Sequence, residues 1–291
     1  MTDMFENFDY QGFMTAMLIV YGVVLALVLL AMIYLLINAL ILIRPAKKEE
    51  VDGELMCDYA HRGLHGQGVP ENSLKAFDLA CRAGFGIELD VQLSKDGEVM
   101  VFHDYTLLRM TGVDKKICEL DAAEIKEIKF KDSELGVPTF REALEIIDGR
   151  VPVLVELKGE ETDVSLCPKV AEILNEYKGK YCIESFNPLL VKKMRELLPD
   201  AFCGLLYTNV VRDKKKVSLI NVLVSDMAFN FLCKPCFIAY NEYYRKAFCI
   251  RVLRRFYKAP MFVWTINNQA SLDKAHSRGE APIFENIDRN V

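Results

Sequence analysis

Carboxylates recur at the ends of apolar, strand-like runs of this sequence. In the run GIELDVQL, Glu88 and Asp90 are two positions apart, and in a strand that spacing puts both side chains on one face. Glu156 follows in VLVELKG and is expected to face the same way from a neighbouring strand. Three carboxylates in an apolar setting need a cation, and oxygen donors suit Mg²⁺ or Ca²⁺ better than zinc. The alternative is an internal salt-bridge network with Arg62 and Lys158.

Two of the four histidines, His61 and His103, also end strand-like runs. A neutral imidazole can remove a proton and a protonated one can supply it, so the pair suits general acid–base chemistry. Arg62 offers a planar fork for phosphate oxygens, and Lys158 places a compact charge beside the carboxylates. A metal ion and these two cations together would stabilise a phosphoryl group. The sequence therefore predicts phosphate chemistry, without a Gly-x-Gly-x-x-Gly or Walker loop.

Alternating strand-like and helix-like segments predict the fold class α/β, a TIM (β/α)8 barrel. An Asp-Gly turn in LSKDGEVMVFHD adds a hairpin, and segment 217–230 is compatible with either strand or helix. Such barrels keep their chemistry at the carboxyl ends of the strands, where the polar residues fall. The predicted strands are Cys57–His61, Ile87–Gln92, Val151–Leu157, Tyr181–Ser185, Phe202–Tyr207, Cys236–Tyr240, Met261–Thr265 and Pro282–Phe284.

The first 45 residues differ from the rest of the chain. From Phe13 to Ile43 there is no Asp, Glu, Lys or Arg, and about 20 apolar residues suffice to cross a bilayer. A secretory signal peptide is the alternative, but the run is too long and acidic residues precede it. We predict a membrane anchor over 1–45 with a single transmembrane helix at about 13–43, a linker over 46–56 and a barrel domain over 57–291.

Charge and cysteine content indicate where the barrel lies. Arg44, Lys47 and Lys48 follow the predicted span and none precedes it, which favours a single-pass protein of the cell membrane with a cytoplasmic barrel. Nine cysteines without disulfide-scaffold spacing agree with a reducing compartment, and CKPC is interpreted as a coincidence of sequence or as a pair of packed thiols. A net charge of −5 argues against nucleic-acid binding. The basic run RVLRRFYK is a solvated face or a membrane-surface patch.

In order along the chain from Tyr59 to Asn267, AHRG, PENSLKAF, GIELDVQLSKDGEVMVFHD, VLVELKG, SFN and VWTIN resemble the glycerophosphodiester phosphodiesterase family. The resemblance implies a TIM barrel that uses a divalent metal ion, Mg²⁺ or Ca²⁺, to hydrolyse glycerophosphodiesters to sn-glycerol 3-phosphate and an alcohol. It also implies roles for nine residues. These are His61 and His103 as the catalytic pair, Glu88, Asp90 and Glu156 as metal ligands, Arg62 and Lys158 on the phosphate, and Phe186 and Trp264 in the substrate pocket.

Departures from the family pattern leave the substrate open. The family's GVDGIITDNP-like closing strand is replaced here by GEAPIFENID, which affects the pocket floor. Membrane tethering favours a role in lipid or glycerol metabolism, with a soluble glycerophosphodiester or a lysophospholipid as substrate. A lysophospholipase D-like or cyclising phosphodiesterase and a non-catalytic membrane scaffold remain alternatives. Glu71 is expected to hold the first loop through Arg62, and either Asn72 or Ser73 to cap the next helix.

Overall fold

The protein is described by a computed structural model, which covers residues 9–46, 51–66, 68–159 and 162–287. The predicted basic residues Lys47 and Lys48, and the last four residues of the predicted barrel domain, lie outside the described residues. The strands of the described part are β1 Tyr59–Ala60, β2 Gly86–Leu93, β3 Val99–Val101, β4 Val153–Leu157, β5 Tyr181–Ser185, β6 Phe202–Tyr207, β7 Phe237–Asn241, β8 Met261–Ile266 and β9 Ala281–Phe284.

Eight of these strands form a closed parallel barrel. Their spatial order is β1-β9-β8-β7-β6-β5-β4-β2, and β1 also pairs with β2, which closes the circle. Strand β3 pairs with β2 in antiparallel fashion, so the hairpin predicted from the Asp-Gly turn is confirmed. The eight predicted barrel strands are all present, with ends within two residues of the predicted ones. The predicted TIM barrel is therefore confirmed.

Helices connect the strands and cover the outside of the barrel. Within segment 217–230, Leu219–Ser225 forms the helix α9, and Ser218 caps it by accepting a hydrogen bond from the Asn221 backbone N–H. The α-helices are α1 Tyr10–Ile37, α2 Leu74–Ala83, α3 Leu108–Thr111, α4 Ala122–Glu127, α5 Phe140–Ile147, α6 Leu166–Glu176, α7 Pro188–Leu197, α8 Val210–Asp213, α9 Leu219–Ser225, α10 Asn230–Cys233, α11 Phe248–Arg255 and α12 Gln269–His276. Shorter turns are the π-helix Asn38–Leu42 and the 3₁₀-helices Gly53–Leu55, Ile117–Glu119 and Glu242–Tyr244.

Two layers of side chains fill the barrel. The layer toward the amino ends of the strands is apolar and includes Leu154, Cys182 and Phe237. Toward the carboxyl ends the layer is acidic, since the strand register pairs Asp90 with Glu156 and Glu156 with Glu184. Strand alternation places residues two apart on the same face, so the apolar and acidic layers follow directly from the sequence. The barrel therefore presents carboxylates at the end where the connecting loops converge.

The N-terminal helix projects from the barrel. Helix α1 runs into the π-helix, and the segment Tyr10–Leu42 is long and apolar enough to cross a membrane. Its final part contacts the barrel, because the Tyr34 hydroxyl donates to Asp226 Oδ2 at 2.8 Å and the Ala46 N–H donates to the Pro235 carbonyl at 2.9 Å. The predicted N-terminal apolar helix is therefore confirmed as a helix, packed against the barrel by its last turns.

Candidate active site

A small cavity of about 110 Å³ opens at the carboxyl ends of the strands. Eight of the nine predicted site residues line it, and the ninth, Asp90, is fully buried directly behind Glu88 and Glu156. The structure thus brings the whole predicted set together from six strands and the residues that follow them. The lining consists of His61, Arg62, Glu88, His103, Glu156, Lys158, Glu184, Phe186, Leu206, Trp264, Thr265 and Ile283.

The three predicted metal ligands converge on one point. One carboxylate oxygen from each of Glu88, Asp90 and Glu156 lies within 4.8 Å of the other two, and all three residues are buried. The Lys158 ammonium sits among them, 2.9 Å from Asp90 Oδ1 and 2.5 Å from Glu156 Oε1. The Arg62 backbone N–H donates to Glu88 Oε2 at 2.8 Å. The cluster is therefore compact and only partly neutralised.

Burial controls the ionisation of this cluster. Burial raises the pKa of Glu88 well above its ordinary value, with repulsion from Asp90 adding to the effect, and burial raises the pKa of Glu156 to about 7. Burial acts in the same direction on Asp90, but Lys158, His103 and Arg62 together hold its pKa below the usual range. Only one of the three carboxylates is thus firmly ionised when the protein's own cations are its sole partners.

The cluster fits a hard divalent cation. Glu88 Oε1 is buried and accepts no hydrogen bond from any part of the chain that the structure describes. A buried carboxylate oxygen without a donor is costly, and a cation bound there would remove that cost. The donors are all oxygens, which Mg²⁺ and Ca²⁺ prefer. Glu88, Asp90 and Glu156 could therefore hold one divalent ion, as the sequence indicated.

Each of the two predicted catalytic histidines is oriented by a carboxylate. His61 Nδ1 lies 2.8 Å from Glu285 Oε2, and His103 Nδ1 lies 2.7 Å from Asp104 Oδ1. Burial lowers the pKa of His103, which favours the neutral imidazole. Because both Nδ1 atoms have partners, both rings can present Nε2 to the cavity, and His61 Nε2 lies 3.9 Å from Glu88 Oε2. The arrangement suits proton transfer at two separate atoms.

A polar network holds the first loop against the site. Arg62 has φ of +56°, a conformation rare for arginine and common at functional sites, and its Nη1 donates to Glu71 Oε1 at 2.8 Å. The predicted role of Glu71 is therefore matched by the geometry. Arg109 bridges Glu71 and Asp104, with its Nη2 2.6 Å from Glu71 Oε1 and its Nε 2.6 Å from Asp104 Oδ2. The loop that carries Arg62 is thereby tied to the partner of His103.

Asn72 and Ser73, which follow Glu71, were both candidates for the cap of the next helix, and the structure gives them different roles. Ser73 caps α2 by accepting from the Ala76 N–H, whereas Asn72 donates to Asp90 Oδ2 at 2.8 Å. The structure thus assigns the helix cap to Ser73. Asn72, with φ of +54°, orients the carboxylate of Asp90, a predicted metal ligand, and sequence reasoning missed this contact. His65 is partly buried, and its Nε2 lies 3.9 Å from Glu285 Oε2.

Glu184 is the second site residue that sequence reasoning missed. It lies on β5 two residues before Phe186, and its register partner is Glu156. Burial raises its pKa well above the ordinary value, and Glu156 and Glu88 raise it further. Its Oε2 accepts no hydrogen bond from residues within the described ranges. Strand alternation alone could have found it, since Glu184 must face the same way as Phe186.

Replacing Glu184 with glutamine is expected to stabilise the metal-free protein at alkaline pH. The unfolded carboxyl, with a pKa near 4.5, releases its proton before the folded one does, so wild-type stability falls as pH rises above 4.5. Glutamine does not ionise, so the variant does not lose stability in this way as the pH rises. In chelator, we expect the melting temperature of the variant to exceed that of wild type by about 2 °C or more at pH 8, roughly 1 kcal/mol, and the gain to vanish near pH 3.5, about one unit below the unfolded pKa. An equal gain at both pH values, or one matched by Glu196→Gln on the exposed face of α7, would contradict this reading.

Two aromatic side chains form the outer wall of the cavity. The rings of Phe186 and Trp264 meet edge-to-face with centroids 5.6 Å apart, and the Trp264 indole N–H donates to the Ala239 carbonyl at 3.0 Å. Both were predicted to line the substrate pocket, and both line this cavity. Aromatic walls next to a carboxylate and cation floor suit a ligand with one phosphate end and one less polar end.

Residues 61–287 match the model of the glycerophosphoryl diester phosphodiesterase family. The chain belongs to this family. A glycerophosphodiester phosphodiesterase from Caldanaerobacter subterraneus subsp. tengcongensis is 36% identical over 162 residues, which are 51% of this chain and 65% of that protein. The chain thus spans slightly less than two thirds of the length of that relative.

Solved structures of the family share the barrel. A Thermotoga maritima glycerophosphodiester phosphodiesterase superposes with a TM-score of 0.61 at 27% identity, covering 79% of this chain and 94% of that one. An Oleispira antarctica phosphodiesterase, solved in complex with the product sn-glycerol-3-phosphate, superposes with a TM-score of 0.63 at 23% identity over 79% of this chain and 92% of that one. The family barrel is therefore present here almost in full, and the N-terminal apolar helix precedes the residues that match the family model.

Proposed function

We propose that the chain is a metal-dependent glycerophosphodiester phosphodiesterase that forms sn-glycerol 3-phosphate and an alcohol. One observation carries the proposal: a buried three-carboxylate cluster lies beside two carboxylate-bound imidazoles and two cations in a single cavity. Membership of the family supports the same activity. A pure scaffold would have no physical need for so costly a set of buried charges.

The cations and histidines divide the work in this proposal. Arg62 and Lys158 bind the phosphate oxygens, Arg62 through its planar fork and Lys158 as a point charge. One of His61 and His103 takes a proton from the attacking water or from a neighbouring substrate hydroxyl. The other donates a proton to the departing alkoxide. Glu285 and Asp104 fix the two rings, so that each presents the same nitrogen throughout.

The metal ion belongs to Glu88, Asp90 and Glu156 in this proposal. When bound, a divalent ion polarises the phosphoryl oxygens and lowers the pKa of a coordinated water. Mg²⁺ and Ca²⁺ both fit three oxygen donors with room for water. Asn72 keeps the Asp90 carboxylate in place for this task.

A membrane anchor over residues 1–45, a linker over 46–56 and a catalytic domain over 57–291 complete the proposal. Support comes from the apolar helix and from the free thiol state of all nine cysteines, each of which lies in the described residues. Arg44, with Lys47 and Lys48, favours a cytoplasmic barrel at the cell membrane. Tethering places the enzyme where glycerophosphodiesters are released from lipids.

A substrate panel tests the activity directly. Full-length protein in detergent is incubated with glycerophosphocholine, glycerophosphoethanolamine and glycerophosphoglycerol, and sn-glycerol 3-phosphate is measured. We expect turnover with Mg²⁺ or Ca²⁺ and a loss of roughly 100-fold or more in chelator, since a catalytic metal is worth several kcal/mol. Cyclic phosphate as the final product would indicate a cyclising enzyme instead. Absence of turnover with every divalent ion would rule out this activity and leave the lysophospholipase D-like and scaffold alternatives.

A further inference from the structure

The end of the N-terminal apolar segment fixes the direction of α1 relative to the barrel. Three hydrogen bonds join residues 34–46 to residues 226–235 in the same order along both segments, namely Tyr34 to Asp226, Ile43 to Asn230 and Ala46 to Pro235. The two segments therefore run parallel, and residues 226–235 lead to the amino end of β7. Followed backwards from Ala46, the chain runs away from that end. The part of α1 before Tyr34 thus continues on the side of α9 and of the carboxyl end of β6.

The surface of a bilayer crossed by α1 falls close to this contact. Residues 10–33 of α1 are exposed throughout and measure about 36 Å at 1.5 Å per residue, which is enough for a hydrocarbon core of about 30 Å. Tyr34 follows directly, and a tyrosine with a hydrogen-bonded hydroxyl is typical of the membrane–water interface. The parts of the barrel next to Tyr34 are therefore held at the level of the lipid headgroups.

A segment near this level exposes apolar side chains beside lysines. Val217, Leu219 and Ile220 lie where α9 begins and are 79%, 75% and 62% exposed. Helix α9 ends directly before Asp226, so its start is about two helical turns from the contact with Tyr34. Three exposed lysines, 214–216, immediately precede Val217. Apolar side chains next to lysines are typical of surfaces that lie on anionic membranes.

A second segment, which follows β7, extends the same surface. Tyr243 and Phe248 are 82% and 44% exposed, and Lys246 between them is exposed as well. Two hydrogen bonds join this segment to the first, from the Tyr244 hydroxyl to Asp213 and from Cys249 Sγ to the Ser225 carbonyl. The exposed side chains of residues 214–220 and 243–248 therefore form one surface, which we refer to as the docking patch.

The docking patch and its surroundings are positive, although the whole chain has a net charge of −5. Residues 208–220 contain four basic residues and one acid, and residues 242–258 contain six basic residues and one acid. Two of these ten, Arg245 and Arg254, bind the buried Glu280, which leaves eight basic residues for a partner. The excess of positive charge fits anionic lipid headgroups, and the apolar side chains fit the acyl region beneath them.

We propose that the docking patch lies on an anionic lipid surface, with Val217, Leu219 and Ile220 inserted below the headgroups and lysines 214–216 among the phosphates. This inference rests on the membrane anchor of the proposed function and adds a second attachment to it. Two attachments, α1 and the docking patch, hold the barrel in one orientation, which a single attachment does not. Both segments of the patch follow the carboxyl ends of their strands. Docking therefore turns the end of the barrel that carries the catalytic pocket, the cavity lined by His61 and His103, toward the bilayer.

A tryptophan placed in the docking patch tests its contact with lipid. Full-length Val217→Trp protein is reconstituted into vesicles of phosphatidylcholine and phosphatidylglycerol in equal amounts. The vesicles are made with or without acyl chains brominated near the headgroup, which quench tryptophan on contact. The signal of wild type, which contains only Trp264, is subtracted. We expect the brominated lipid to quench most of the emission of the added tryptophan.

The three lysines supply a second measurement. Lys214→Gln, Lys215→Gln and Lys216→Gln are combined in the Val217→Trp protein. We expect the ratio of docked to undocked chains to fall about fivefold per lysine, because a basic residue near an anionic surface contributes about 1 kcal/mol. Quenching should fall accordingly, and vesicles of phosphatidylcholine alone should reduce it with the lysines intact. Equal quenching in both lipid compositions would overturn the preference for anionic lipid.

Ile146→Trp provides the matched control. Ile146 is 38% exposed on α5, which leads into β4, and β4 lies opposite β8 in the circle of strands. A tryptophan there should not be quenched. Val217→Trp protein that floats with the vesicles but is not quenched overturns the docking patch and leaves the anchor standing. If its emission is also shifted to the blue, a second copy of the chain covers the patch instead of lipid.

Two further readouts on the same samples keep this inference separate from the proposals on which it rests. Wild-type protein that does not float with the vesicles overturns the membrane anchor, and the docking patch with it. Hydrolysis of glycerophosphocholine by the same wild-type sample reports the proposed activity. Loss of that hydrolysis with intact quenching would overturn the activity and support the docking patch.

Discussion

Replacing Asp90 with asparagine is expected to reduce kcat/KM for glycerophosphocholine by roughly 10³-fold, about 4 kcal/mol of transition-state stabilisation. Asp90 is the carboxylate of the cluster that the neighbouring cations keep ionised, and it is the one held by Asn72. Asparagine preserves its shape and removes its charge, so a bound cation loses its strongest ligand. The measurement is steady-state kinetics at saturating Mg²⁺ or Ca²⁺.

The effect of a divalent cation on the melting temperature distinguishes loss of metal binding from loss of the fold. Ligand at about 100 times its Kd adds ~2.7 kcal/mol of stability, so a divalent cation is expected to raise the melting temperature of wild type. Asp90→Asn should lose most of that rise and keep its circular dichroism spectrum. Asp78→Asn, on the outer face of α2 beside Arg150, is the matched control and should retain both activity and the cation response. Wild-type turnover in Asp90→Asn would rule out the metal assignment.

Local sequence rules were enough to predict the barrel and three of the four carboxylates in its acidic layer, all except Glu184. Glu88 and Asp90 face inward because side chains alternate along a strand, and Glu156 joins them because the next strand is parallel and in register. The short apolar runs predicted all eight barrel strands, because a strand that is buried on both faces is almost continuously apolar in sequence. Both parts of the prediction depend on neighbours in sequence or on adjacent strands.

Other parts of the site depend on contacts that no local pattern encodes. Glu285 reaches His61 only because β9 pairs with β1 and closes the barrel across 224 residues of chain. The contact of Tyr34 with Asp226 joins residues 192 apart. The position of Asn72 likewise depends on its left-handed backbone, which turns its side chain from the helix end to Asp90. Composition and periodicity contain no information on these three contacts.

The acidic layer also shows a conflict between stability and function. Burial raises the pKa of Glu88, Glu156 and Glu184 alike, so each would be more stable as a neutral group. A fold selected for stability alone would place apolar side chains there, as the barrel does one layer below. The carboxylates are therefore best explained by a role in binding positive charge. The Glu184→Gln variant tests their cost in stability, and the Asp90→Asn variant tests their contribution to activity.

Alanine at His61 or at His103 is expected to lower kcat by about 10²–10⁴-fold, the usual contribution of a positioned acid or base. Each ring has a carboxylate at Nδ1 and lines the catalytic pocket, so neither histidine can take over the role of the other. His276→Ala is the matched control, because His276 pairs with Asp58 outside the pocket. That variant should retain the wild-type rate.

The leaving group then distinguishes the two histidines. A phosphodiester of p-nitrophenol releases an anion that needs no proton, so the variant lacking the general acid should recover most of its rate on that substrate. The variant lacking the general base gains nothing, because its defect lies in the attack on phosphorus. We therefore expect recovery in one alanine variant and continued loss in the other. Recovery in both variants would mean that neither residue activates the nucleophile, and near-wild-type rates with glycerophosphocholine in either would remove that histidine from the proposed pair.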